Sequence, residues 1–516
     1  MRSTSILVSK NKTMHSTTNN ILVSLFCILS ISGISCKKFL ASYSQNKSFI
    51  ETTADLDELL VGEVYNKLDN SIPDMWFTMD DDVELGKPEN VTYDGLRTMN
   101  TGYYYWQPDP AIDNEGNPIN SNSIFAGLYA WIVRINTILH LIPDLREKGE
   151  PATALNRISG EAHFLRAFYY FILVNTYGKP YKPSTAANDF GVPLKTDPAI
   201  KDQFASRSSV QQVYDQIVAD LLLAEQELSG ANTTSTIRPN QAAVQALLSR
   251  VYLFMENYEQ AVLYAGKVIS NNKYRLVDLN NHIAGNNFLI RNADEVVFTM
   301  GKDPFPVLMN ISQDAPANGF YRISDDLAGI YAQEDLRRQV FFIQTSKGYL
   351  KLGKKRKDLN GTNDDVSAMY LVRLSEVYLN KAEALAALGQ FEEARIALQE
   401  LRKRRFKPDA LTPVTSEGAV LMNEIRGERR KELCFETHRW FDLRRYGVNS
   451  KYPFSKSIRH RTYTFSGSAH VDYGYYELGP YEQDAAAYIV PIPKDEIEFN
   501  QGSLTNEPRP ARPRKQ

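Results

Sequence analysis

Apolar residues through the middle of the chain recur every three to four positions, a spacing that predicts a succession of helices. Leu56, Leu59, Leu60 and Val64 mark a first short one. From Ile124 onward, Phe125, Leu128, Ile132, Ile135 and Leu139 fall on one stripe. The next helix runs from Ile158 to Gly178-Lys179-Pro180, where glycine and then proline end it. Another starts at a serine cap near Ser209 and ends before Ser229-Gly230. Two helices then meet at Glu256-Asn257, with bulky Tyr252 nine residues before small Ala261. Residues 372–405 repeat the pattern, turning at Gly389-Gln390-Phe391 with Ala394 as the small residue. Tetratricopeptide repeats nest a large residue of one helix against a small one of the next at this offset. The expected fold is therefore all-α, built of tetratricopeptide-like helical hairpins with long irregular loops and a few short strands. The hairpins are not tandem in sequence, because 271–368 interrupts them.

Elsewhere the helical period fails. Residues 69–123 mix Asp, Asn, Pro, Gly and aromatics and read as a long, exposed, irregular segment. Within the insertion, Ala293 to Gly301 reads as a strand, Asn318 to Tyr331 as a loop entering a helix, and 348–365 as a charged surface loop. After Gly447 the chain reads as irregular and aromatic, and the final RPARPRKQ as a flexible basic tail.

Composition narrows the function classes. The net charge of −2 gives the whole chain no electrostatic reason to seek nucleic acid. Twenty-nine tyrosines suit either wet binding surfaces or helix packing. Three cysteines form no disulfide framework. Cys27 lies in the apolar run Ile21 to Ser35, preceded by Lys10 and Lys12, which fits a signal peptide over residues 1–35. Small residues followed by Cys36 resemble a bacterial lipobox, although Gly33 stands where Leu is preferred, so Cys36 is the expected lipidation site. Cys434 is expected to be a buried small hydrophobe.

The densest chemistry lies in RGERRKELCFETHRWFDLRRYG, Arg426 to Gly447, with seven Lys or Arg and four Asp or Glu. Interleaved acids argue against a nucleic-acid patch. Glutamates four apart on one helix stand side by side, which does not make a glycosidase pair. His438 has no second metal ligand at zinc spacing. One structural helix, anchored by Trp440 and Phe441 and laced by ion pairs, is the expected reading. Asp80-Asp81-Asp82 is expected to be a solvated loop, not a calcium site. No P-loop, dinucleotide fingerprint, G-x-S-x-G or HExxH occurs. Neither a cofactor nor a metal is expected.

Four further segments join that cluster in a family likeness. Cys36-Lys37-Lys38-Phe39-Leu40, GEAHFLRAF from Gly160, YLVRLSEVYLNKAEAL from Tyr370, and Ile489-Val490-Pro491-Ile492-Pro493 with Glu496-Ile497 accompany Glu428 to Gly447. Together they resemble the SusD/RagB family of outer-membrane nutrient-binding lipoproteins. The resemblance implies one SusD-like domain over 36–516, with an N-terminal part at about 36–230 and a C-terminal part at about 290–516. It implies no catalysis. It implies capture of an oligosaccharide at the cell surface, an anchor in outer-membrane lipid through Cys36, and delivery to a SusC-like TonB-dependent transporter. Peptide or other nutrient capture by the same architecture, or a helical-repeat scaffold binding only protein, are the alternatives.

Sugar recognition uses aromatic faces beside polar side chains. Trp76, Tyr103, Tyr104, Tyr105 and Trp106 in the first irregular segment, and Asn318, Phe320, Tyr321 and Arg322 in the insertion, are the ligand-binding candidates. Each aromatic is either a ligand platform or loop packing, and Trp76 and Trp106 are the leading candidates.

Overall fold

The structure is a computed structural model that describes residues 50–65, 75–86, 101–111, 124–199, 203–230, 235–284, 286–301, 321–344, 350–352, 354, 366–467 and 469–516. Cys36, the 1–35 leader, Asn318, Phe320 and most of the loop 348–365 lie outside them. Helix α1 spans Thr53–Glu63, one-turn α2 Met75–Thr78, strand β1 Val83–Leu85 and one-turn α3 Thr101–Tyr104. Long helices follow: α4 (Ile124–Glu147), α5 (Ala152–Tyr177) and α6 (Val210–Glu227), then the hairpin α7 (Gln241–Phe254) and α8 (Tyr258–Ile269). The insertion carries β2 (Val296–Thr299), β3 (Tyr321–Ile323), β4 (Phe342–Gln344) and β5 (Leu350–Leu352), and β6 (Leu371–Arg373) directly follows it. Then come α9 (Leu374–Leu388), α10 (Phe391–Arg402), α11 (Gly418–Leu433), α12 (His438–Val448), β7 (Ile458–Ser466) and β8 (Ala469–Leu478).

Local chemistry sets the helix ends. Ser209 and Gln212 form a reciprocal capping box that satisfies two N-terminal amides of α6. Asn240 and Asn257 cap α7 and α8. Helix α9 closes on Gly389 at φ +80, a left-handed position that glycine takes without a Cβ penalty. Helix α4 is long and apolar enough to cross a bilayer by length and composition, yet it packs along α5 with Phe125, Leu128, Ile132 and Ile135 buried.

The hairpins form a continuous stack. Neighbours pack in the order α4, α5, α6, α7, α8, α9, α10, so that α8 meets α9 across the insertion between them. Ala261 and Ala394 are fully buried at the close helix approaches expected of them. The insertion loops out, and returns to the stack through the antiparallel pair β2–β6.

The segment 426–447 departs from the single helix expected. It is two helices, broken at 434–437, where Phe435 and Thr437 adopt positive φ. The break has an electrostatic cause. Arg373 Nη2 donates to the Glu432 carbonyl (2.6 Å), and Lys354 Nζ donates to the carbonyls of Glu432 and Cys434. Cations thus occupy the carbonyl end of α11, where the helix dipole favours them. Glu436 is drawn out of helical register to pair with Arg373 (Nε–Oε2 2.8 Å).

Around this break lies a buried charge network. Glu432 meets Arg373 (2.7 Å), Arg405 (2.8 Å) and Arg337 (3.0 Å), Glu295 meets Arg373 and Arg405, and Asp335 and Glu428 meet Arg337. Through Arg337, Glu428 and Glu432 of α11 are thus tied to the insertion. Trp440 is buried against Tyr488 and Phe441 packs near Trp76, so both anchor α12 as expected. Cys434 is buried, and burial raises its thiol to about 11.

Three further expectations change. The described parts of 69–123 are mostly buried, not exposed, with Asp109 the exposed exception among them. Within the stretch after Gly447 expected to be irregular, β7 and β8 pair as a nine-by-ten-residue hairpin. The tail is fastened: Lys515 pairs through its backbone with Tyr475 (N–O 2.8 and 2.9 Å), and Arg512 bonds Asp484 (2.8 Å).

Candidate functional site

The two aromatic regions singled out by sequence meet in space. Strands β1 and β3 pair antiparallel, Val83 with Ile323, Glu84 with Arg322 and Leu85 with Tyr321, and β1 packs beside β7. Their aromatics, however, build the core of this β-rich end. Trp76 is 1% exposed and its indole N–H donates to Thr176 Oγ1 (3.2 Å). Trp106 is equally buried, donates to the Met79 carbonyl (2.9 Å) and stacks on His460 at 4.2 Å. Tyr104 stacks on the other face of His460 at 4.0 Å, and its hydroxyl accepts from the Leu85 amide. Tyr105 lies on Tyr476, Tyr321 lies beside Tyr104, and Tyr103 is buried. These six aromatics are packing, the second of the two roles open to them, because a sugar needs a ring face that water can reach. Of the described candidates only Arg322 stays partly exposed, paired with Glu84 and Asp325.

Asp80, Asp81 and Asp82 are buried, contrary to the solvated loop expected. Asp81 accepts from Arg439 Nε and Nη2 (2.6 and 2.9 Å) and also meets Arg430 and Lys456, and Asp82 accepts from Arg430 Nε (2.8 Å). Burial raises the Asp81 carboxyl, but those cations outweigh it and hold it well below the usual range. Burial and the two neighbouring carboxyls push Asp80 well above it. One oxygen of each carboxylate lies within 4.8 Å of the others, but three basic side chains already meet Asp81 and Asp82, and Asp80 accepts from the Asp82 amide. The cluster fastens α11 and α12 to β1.

Where β1, β7, β8 and the tail meet, a groove of about 590 Å³ opens to solvent. Arg459, Arg461, Asp472, Tyr473, Tyr475 and Arg514 line it, with Glu84 at one side. Pleating puts Arg459 and Arg461 outward while His460 between them points into the core. Arg459 pairs with Glu477 (2.5 Å) and Arg461 with Asp472 (2.7 Å). Tyr473 is 47% exposed. Exposed tyrosine beside fixed charged pairs can stack on one sugar face and hydrogen-bond its hydroxyls. A larger groove, about 650 Å³, follows α11, but Arg430, Lys431, Arg439 and Lys456 on its wall are already bound to Asp81, Asp82, Asp326 and Asp335.

The groove residues escaped the sequence reading. Their signal was an alternation, Ile458-Arg459-His460-Arg461 and Tyr473-Gly474-Tyr475, around a Gly-Ser turn. Another constellation has hydrolase residue types without hydrolase geometry. Ser159 Oγ donates to Glu227 (2.7 Å), and the same imidazole nitrogen of His163 faces both Glu227 (2.8 Å) and Ser159 (3.5 Å). A triad needs the serine and the carboxylate on opposite ring nitrogens.

Two family models account for most of the sequence. Residues 329–508 match the SusD family, and residues 38–253 match a family described as starch-binding and associating with the outer membrane. The chain belongs to the SusD/RagB family. Two SusD-like proteins of Formosa agariphila are 25% identical over 458 residues (73% of this chain, 86% of the relative) and 26% identical over 406 residues (69% and 74%). A SusD superfamily protein from Bacteroides thetaiotaomicron superposes with a TM-score of 0.68 at 24% identity, covering 89% of this chain and all of the other. A SusD-like carbohydrate binding protein from Bacteroides vulgatus superposes at 0.65 and 18%, covering 88% and 97%. These neighbours carry the SusD-like fold, a mostly helical stack with few short strands, which is the fold class expected from the apolar spacing.

Proposed function

We propose that this SusD-like chain is a non-catalytic receptor that captures an oligosaccharide in the groove between β7–β8, β1 and the tail. The observation that carries this is the exposed Tyr473 flanked by the Arg461–Asp472 and Arg459–Glu477 pairs, on the end of the molecule where β1 and β3 join the two aromatic regions. The starch-binding description of the matching family model and the carbohydrate-binding neighbour support a sugar as the ligand class. The outer-membrane description of that same family model supports a place at that membrane. On this reading Cys36 is the lipid anchor, and a SusC-like TonB-dependent transporter receives the ligand.

Calorimetric titration of the purified protein against plant, host and microbial oligosaccharides and short peptides tests it. Binding of one glycan class, weakened about tenfold by Tyr473→Ala with the melting temperature unchanged, is the expected result. A response to peptides alone would move the ligand to another nutrient class. Glycan binding indifferent to Tyr473→Ala would remove the groove. Co-purification of the lipidated protein with a transporter barrel tests the partner.

A further inference from the structure

The groove has an electrostatic sign. Three guanidiniums, Arg459, Arg461 and Arg514, line it. Around it, four bases (Arg459, Arg461, Arg322 and Lys515) are ion-paired with four acids (Glu84, Asp325, Asp472 and Glu477). The unmatched cation is Arg514. Among the described residues no carboxylate lies within ion-pair distance of it, although the chain as a whole is acidic. Its guanidinium lies over the Tyr473 ring at 3.6 Å and donates to the Tyr473 carbonyl. Arg459 lies over Tyr475 in the same way at 4.9 Å. A guanidinium resting on an aromatic ring is held in orientation while the remaining N–H groups at its edge stay available, and that fork matches a carboxylate or sulfate oxygen pair. Arg461, 66% exposed, spends one N–H on Asp472 and keeps the others.

Arg514 is held there by backbone, not by chance contact. Lys515, the next residue, exchanges both backbone hydrogen bonds with Tyr475. The close approach depends on Gly474, at φ +106, where a Cβ would stand 2.0 Å from the Lys515 carbonyl oxygen. Tail, glycine and tyrosines together fix a cation over the groove.

We propose that the ligand of this groove is an acidic oligosaccharide, carrying carboxylate or sulfate groups, and that Arg461 and Arg514 read those groups. This rests on the glycan-capture reading and narrows it. The test is calorimetry of the full-length protein with three probes: a galacturonic acid tetramer, a neutral galactose tetramer of the same linkage, and its sulfate ester. One acidic probe should bind about tenfold more tightly than the neutral one, and whichever does so identifies carboxylate or sulfate. Arg461→Gln with Arg514→Gln should remove that advantage, so that the acidic tetramer binds no more tightly than the neutral one, with the melting temperature held. Raising the ionic strength should weaken acidic binding alone. Equal affinity for acidic and neutral tetramers, or acidic affinity unchanged in the double variant, overturns the acidic specificity and leaves glycan capture standing. No response to any of the three, followed by no response across the broader glycan panel, overturns both. A neutral glycan found in that panel overturns only the acidic specificity.

Discussion

Trp106 holds a left-handed backbone position at φ +50, stacks on His460, and places its indole N–H on the Met79 carbonyl. Truncating it would leave a cavity and an unpaired buried carbonyl. Trp106→Ala should therefore cost roughly 3–5 kcal/mol and lower the melting temperature clearly, while the folded fraction binds ligand as before. Thermal melts beside titrations check this, and weakened binding at unchanged stability would return Trp106 to the ligand site. Sequence identified these rings as special but not as buried. The partner that buries Tyr104, His460, lies 356 residues away, and no local period carries that information. By contrast, Cys434 was legible, since an unpaired cysteine in an apolar setting has few other roles.

Among the elements, long helices were legible because apolar period and caps agree there, as in α6 with its Ser209 box. Two elements were not. The break between α11 and α12 comes from Arg373 and Lys354, which lie far off in sequence and compete for the helix's own carbonyls. The β7–β8 hairpin alternates charged and aromatic residues, so its outward face looks like a loop until its inward partners are known. Its tail contact is testable by itself. Gly474→Ala cannot keep both φ +106 and the Lys515 contact, so the tail should leave the strand edge. The amides of Tyr475 and Lys515 should then exchange with solvent at least about tenfold faster, at a cost of about 1–3 kcal/mol. Unchanged exchange at both amides would show that the tail does not depend on that glycine.

At the scale of the whole molecule, the buried network binds the inserted segment to the helical stack, and this explains how an interruption of the repeats is tolerated. Glu432 is the shared acceptor of Arg373, Arg405 and Arg337. Removing its charge takes one counter-charge from three buried cations at once, so Glu432→Gln should destabilise the protein by about 3–5 kcal/mol, read by denaturant melts. Acid should act on the molecule in two stages, first at the aromatic core around His460 and then at the buried network. His460 is buried, and although both ring nitrogens face carbonyl oxygens, desolvation dominates and brings its pKa down to about 4. A histidine with a lowered folded pKa contributes stability that is complete above the unfolded value near 6.5 and is lost as pH falls from there toward 4, about 3 kcal/mol in all. Burial raises the Glu428 carboxyl, but Arg337 and Lys431 outweigh it and bring it down to about 2, so its contribution persists through that range and is lost between about 4.5 and 2. The raised carboxyls of Asp80 and Asp82 act oppositely, gaining from protonation. Melting temperatures followed downward from pH 7.5 should begin to fall near pH 6.5 and fall again below about pH 4.5. His460→Gln should be less stable at neutral pH yet flatten the upper limb, because the group whose protonation drives it is gone. An upper limb of unchanged slope in that variant would assign the loss to other groups, foremost His438, which burial and the charges of Arg250 and Arg429 also hold well below its usual value.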